Sequence, residues 1–185
     1  YTTLFRSALK EAADCFKKQP SIDVVCGHCY IIDENSCKIQ KKFSHTLTNT
    51  SFSNKRYTVG YSIIVQQSTF FKKEMFKHVN GFDEAYRVMW DAALMVDFLK
   101  SGAIFKVVNN FWSAFRVYPS SISGSGLQLS EKGIKEFQKL QLRAGLKQHV
   151  ASWQYPFLRY IGWLTEPSLL IRRVIDGIVS PKRLL

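Results

Sequence analysis

Acidic residues are scarce in this chain. Asp and Glu number 14 against 26 Lys and Arg, a formal net charge of +12. Such a surplus attracts phosphates of any origin, whether nucleic acid, anionic lipid, nucleotide or sugar phosphate. The basic residues are nevertheless dispersed as pairs: Lys17-Lys18, Lys41-Lys42, Lys72-Lys73, Arg172-Arg173 and Lys182-Arg183. Lacking both a Lys/Arg block and an aromatic-basic recognition motif, the sequence argues against a nucleic acid partner. Long apolar runs are also missing, and none reaches the ~18 residues of a spanning helix. No signal-peptide pattern, Gly-rich phosphate loop, Gly-x-Ser-x-Gly elbow or Cys–His nucleophile pair occurs. The expected location is the cytoplasm, with association at a membrane surface left open. The chain starts at Tyr1 rather than Met, and we expect part of the protein to lie upstream of it.

Cysteine is confined to positions 15, 26, 29 and 37. Without a secretory signal the reduced state is expected. Cys26-Gly27-His28-Cys29 has the spacing of a metal or redox pair, but it falls inside Ile22–Asp33, which reads as a strand. Residues three apart on a strand point to opposite faces, whereas a zinc or dithiol site needs convergent sulfurs. The two cysteines are therefore read as small apolar residues of a half-buried strand.

What is present is an ordinary globular composition, 46% hydrophobic and 22% charged over 185 residues, enough for a sizeable core. Leu4–Lys18 reads as an amphipathic helix closed by Pro20, with Phe5, Ala8, Leu9, Ala12 and Phe16 at helical spacing. Ile22–Asp33 and Lys38–Phe43 read as a hairpin around Asp33–Ser36, and Ser44–Lys55 as a long polar loop. Tyr61–Val65 reads as a buried strand. Lys72–His78 is a short helix ended by Gly81. Ala92–Ser101 is a helix stopped by Gly102. Ala103–Val108 and Trp112–Tyr118 are two strands separated by Asn109-Asn110, and Pro119–Gly126 is a loop. Ser130 caps a helix reaching to about His149. Trp153–Leu164 and Ser168–Val179 are further helical segments. The order predicts an α/β class with a mixed sheet and a helical tail.

Several residues in this frame can carry chemistry. Asp91 directly precedes a helical pattern, so its carboxylate can cap free N–H groups, act as a general base, or do both. Asp83 and Glu84 follow a Gly turn, where acidic residues suit both the turn and sugar hydroxyls. Phe82 reads first as a core anchor. Gln67 and Ser68 lie just past a buried strand, where ligands gather in α/β sheets. Arg116, in an apolar strand, needs an anionic partner, either a carboxylate or a ligand phosphate. The four histidines form no ligand spacing.

Taken together, Gln67–Phe71, Phe76–Glu84, Asp91 with Leu94, and Phe115–Ser123 resemble in order and spacing the second half of family 2 glycosyltransferases. Ile22–Gly27 followed by Ile32–Asn35 is similar in pattern, so the resemblance covers about Leu4 to Ser123. It implies a GT-A type (nucleotide-diphospho-sugar transferase) fold. Residues 1–126 would form the acceptor-side part of the transferase domain and 127–185 a helical C-terminal extension. It further implies inverting transfer of a sugar from a nucleotide-sugar to an acceptor hydroxyl, in polysaccharide or glycolipid biosynthesis. Asp91 corresponds to the catalytic base, and Gln67, Gly81, Phe82, Asp83 and Trp90 match positions near the acceptor. A divalent metal, Mg or Mn, is implied for the complete enzyme, held by an Asp-x-Asp motif in the nucleotide-binding half upstream of Tyr1. The chain departs from the pattern at Trp90, where an acidic residue often precedes the base, at Ala93, and at Tyr118 in place of a frequent His. A non-catalytic carbohydrate-binding or scaffold domain of the same fold is the alternative. Trp153, Trp163 and Arg172-Arg173 raise peripheral membrane contact as a third reading, and homo-oligomerisation stays open.

Overall fold

Strand β2, Val24–Ile32, is the axis of the fold. In the computed structural model, which describes residues 2–44, 64–118, 130–145 and Ile171, nearly every residue of β2 is buried. Its sequence, VVCGHCYII, is the apolar run expected of a strand covered on both faces. Along one edge lies β5, Phe105–Arg116, in parallel pairing from Val24↔Phe105 to Ile32↔Arg116. The other edge is shared by β3, Lys38–Lys42, and β4, Thr69–Phe71, both antiparallel to β2. Strand β1, Thr2–Leu4, adds antiparallel to the far end of β5. The result is a mixed sheet flanked by helices, and the chain is of α/β class.

Helix α1, Ala8–Lys18, covers one face. Ala8 and Ala12 pack with Ile22, Val25 and Trp112, Glu11 sits in the first turn, and Lys17-Lys18 complement the last. The opposite face carries α2, Lys73–His78, α3, Trp90–Lys100, and α4, Glu131–Arg143. There Leu94, Val96, Phe98 and Leu99 of α3 pack on Val24, Cys26 and Phe105 of the sheet, with Leu140 of α4 in the same cluster. Each such fully buried side chain contributes roughly 1.5–3 kcal/mol of transfer free energy. Leu140 of α4, beyond the expected 126/127 boundary, thus packs in the same core as α3 and the sheet. Ser130 caps α4 as expected, its Oγ accepting from the Gly133 N–H at 3.2 Å.

Four local expectations are corrected. Leu4 belongs to β1, and the helix begins at Ala8. Ile64 and Val65 are buried but not in a strand, and they lead into a 3-10 turn, Gln66–Ser68. Residues 61–63 lie outside the described residues, as do most of Ser44–Lys55, the loop after Tyr118 and the two segments following His149. The break at Asn109-Asn110 does not exist, because β5 is one strand. Between the Cys26↔Val107 and His28↔Phe111 pairs the register shifts, which lets β5 carry the two asparagines as an irregularity. Their side chains bind across it: Asn109 Oδ1 lies 3.3 Å from His28 Nε2, and Asn110 Nδ2 donates to Glu11 at 2.8 Å. Finally, the left-handed residue ending α2 is Asn80 at φ 62°, followed by Gly81 at φ 75°. The Gly81 N–H closes onto the Phe76 carbonyl and the Asn80 N–H onto Lys77, a Schellman end.

Cys26 and Cys29 are buried free thiols. Cys26 lies in the α3-side cluster and receives the Thr69 hydroxyl, while Cys29 pairs with Ser113 of β5. Burial pushes both thiols up, Cys26 to about 12.

Candidate functional site

Helix α3 begins two residues earlier than the pattern suggested, at Trp90 rather than Ala92. Met89 is the N-cap residue, Trp90 the first helical residue and Asp91 the second. Asp91 is therefore not the cap but a first-turn acid, favourably placed at the positive end of the helix dipole. Its Oδ1 accepts from the Ala92 N–H at 2.8 Å. Burial raises its pKa, outweighing that hydrogen bond and the pull of Lys42 at the end of β3. A half-buried carboxylate held above the usual range is the environment that suits a general base.

Beside Asp91, Trp90 and Phe82 form an aromatic corner. Their rings meet edge to face at 5.1 Å and 83°, and Phe82 continues edge to face onto Phe76 at 5.0 Å. Trp90 is half-buried against the α3 core. Phe82, expected first as a core anchor, is instead 47% exposed. Gly81 makes this approach feasible, since a Cβ there would stand 3.1 Å from the Phe76 ring on a left-handed backbone. Partly exposed aromatic surface at Phe82 and Trp90 and a carboxylate with a raised pKa at Asp91 thus occur at the start of α3 and the turn before it.

The remaining candidates are placed differently. Asp83 accepts from the Ala85 N–H at 2.9 Å and from Arg143 Nη1 at 2.5 Å. The backbone bond first, and Arg143 second, hold its pKa below the ordinary range. Its carboxylate is committed to the turn and to α4. Gln67 is half-buried in the 3-10 turn after Val65. Ser68 is in the core: its Oγ donates to the His28 carbonyl at 2.7 Å and lies 2.6 Å from Ser113 Oγ. A hydroxyl so engaged ties the turn to β2 and β5 rather than facing a substrate. Arg116 donates to the Asp33 and Glu34 carbonyls and to Ser36 Oγ, at 2.7, 2.5 and 2.9 Å. The anionic partner expected for it is replaced by the carbonyls of the β2–β3 turn, where Ser36 takes φ 66°.

Two residues of α4 join the site without having been singled out by their sequence pattern. Arg143 grips Asp97 of α3 through Nε and Nη2, at 2.7 and 2.6 Å, while its third nitrogen reaches Asp83. Glu136 is buried at 6% exposure, and its carboxylate accepts from the Arg87, Val88 and Met89 N–H groups at 3.0, 2.7 and 3.0 Å. Glutamate on a polar helix face gives no signal of this, because its partners are backbone groups some fifty residues away.

Among the described residues no group of three or more His, Cys, Asp or Glu side chains could hold a metal ion. Nor is any helix among them long and apolar enough to cross a membrane. No protein-family model matches the chain, and no curated protein matches it.

Proposed function

We propose that this chain forms the acceptor side of an inverting, GT-A type glycosyltransferase resembling family 2, with Asp91 as general base. The observation that carries the reading is the Asp91 carboxylate at the start of α3, its pKa raised by burial, directly after Trp90, whose ring meets the exposed Phe82. An acceptor sugar lying against the aromatic edges would present a hydroxyl to Asp91. As that oxygen attacks the anomeric carbon, its proton passes to the Asp91 carboxylate. The new C–O bond forms opposite the breaking bond to the nucleoside diphosphate, which leaves with the bonding pair and inverts the centre. Water exclusion by the aromatic rings strengthens the charge transfer. In this reading the donor and its divalent metal are held by residues other than those described. The acceptor is a carbohydrate or glycolipid.

The test is Asp91→Asn in a protein that also carries the donor half. Removal of a general base should lower transfer by at least about 100-fold. Transfer at near wild-type rate would remove Asp91 from the mechanism. Retained saccharide binding by a wild-type protein that transfers nothing would favour the carbohydrate-binding alternative, for which the same aromatic corner would serve.

A further inference from the structure

The N–H groups of Arg87, Val88 and Met89 converge on one carboxylate. These are the last three residues before α3, and Met89 is its N-cap residue. Without a partner they would be donors with no helical carbonyl to serve them, since a helix start has no preceding turn. No Ser, Thr, Asp or Asn occupies the cap position, and Met89 makes no side-chain cap bond. Glu136 of α4 instead takes the three N–H groups just ahead of the helix, fixing the entry of the chain into α3 across the tertiary fold.

We infer that Glu136 is a positioning residue for Asp91, fixing the entry of α3 so that the Asp91 carboxylate is held at the acceptor hydroxyl. The inference rests on the reading of Asp91 as general base. Its geometry is a clamp. Glu136 and Arg143 are two helical turns apart on one face of α4. Glu136 fixes the backbone just before Trp90, and Arg143 grips Asp97 farther down the same helix. Arg143 also takes Asp83, next to Phe82. One helix thus sets both sides of the site, the carboxylate on α3 and the aromatic edge on the preceding turn. Bidentate and multi-donor bonds of this type are directional as well as strong, so they define a rotation of α3 and not merely its proximity. A rotation of one residue step, about 100°, would turn Asp91 and Trp90 together relative to Phe82 and the sheet.

The experiment compares wild type, Glu136→Gln and Glu136→Ala in the full chain, by amide hydrogen exchange and by ¹³C NMR titration of the Asp91 side-chain carboxyl. Exchange at Arg87, Val88 and Met89 should accelerate by at least about tenfold in E136A. The Asp91 midpoint should shift downward toward the ordinary carboxylate value as its surroundings loosen. E136Q, which keeps an acceptor oxygen, should restore part of both. Where E136A does not fold, E136Q against wild type gives the same two readouts, with smaller shifts. Unchanged exchange at these amides overturns the cradle. Accelerated exchange with an unmoved Asp91 midpoint overturns the positioning role and leaves a purely structural contact. Neither readout requires sugar transfer, so failure of the Asp91→Asn transfer test, run in a protein that carries the donor half, would sink the functional reading while the clamp stands or falls separately.

Discussion

Arg143 and Asp97 face each other as a fork, Nε on Oδ1 at 2.7 Å and Nη2 on Oδ2 at 2.6 Å. Both are partly shielded, at 28% and 14% side-chain exposure. Planar, two-bond pairing is a property of the guanidinium that an ammonium cannot reproduce. We expect Arg143→Ala to lower stability by about 1–3 kcal/mol, discounted for residual solvent contact, because Asp97 and Asp83 both lose their partner. Arg143→Lys should recover only part of the loss. Urea denaturation of the two variants checks both statements.

Two carboxylates should respond to pH in opposite senses. Burial raises Asp91, so its protonated form is favoured by folding. Its contribution is present below the unfolded value of about 4 and is lost as pH rises through the raised folded value. Asp91→Asn, which does not titrate, should therefore gain on wild type as pH rises and be the more stable protein at neutrality. For Glu136 burial also pushes upward, but the Val88, Arg87 and Met89 N–H groups more than offset it and the pKa is lowered. Its contribution is present above about 4 and is lost as pH falls through the folded value. The deficit of Glu136→Gln should be full at neutrality and should close in acid. Denaturation curves from about pH 3 to pH 7 distinguish the two signs.

Gly27 is required for space. A Cβ there would stand 2.6 Å from Trp112 Cδ2 and Cε3. The indole cannot back away freely, since it is buried and its Nε1–H donates to Glu11 at 2.7 Å. Gly27→Ala should cost about 1–3 kcal/mol through overpacking. The measurement is a lowered denaturation midpoint with an unchanged slope, together with altered Trp112 fluorescence.

Phe82 offers the separation of binding from stability. Its exposed ring contributes edge-to-face contacts worth about 1 kcal/mol. Phe82→Ala should cost no more than that in folding while weakening saccharide binding roughly tenfold. Calorimetric titration with an oligosaccharide panel, beside a melting curve, checks it. A large loss of stability with unaltered binding would assign the ring to packing alone.

The strands and helices with strong periodicity were legible from sequence: β2, the β2–β3 hairpin, α2, α3 and the Ser130 cap. Misreadings came where tertiary contacts overrule local pattern. Asn109-Asn110 has the composition of a turn, but the register shift against Gly27 and the side-chain partners His28 and Glu11 keep β5 continuous. Ser68 and Arg116 have polar side chains that local context aimed at a ligand, while the fold spends them on its own carbonyls. Asp91, Trp90 and Phe82 were singled out because they cluster in sequence. Glu136 and Arg143 were not, because a helix pattern shows which residues share a face and not what that face meets.

Strand β1 covers Ser113, Ala114 and Phe115 of β5 with three residues, Thr2–Leu4, and the Phe5 N–H continues the contact to the Trp112 carbonyl. So short an outer strand is a poor template for another molecule to pair with. Proteolytic trimming just after Leu4 would bare the longer rim of β5 beneath it. Among the described residues, these three at one margin of the sheet are what stands between β5 and strand pairing with another chain.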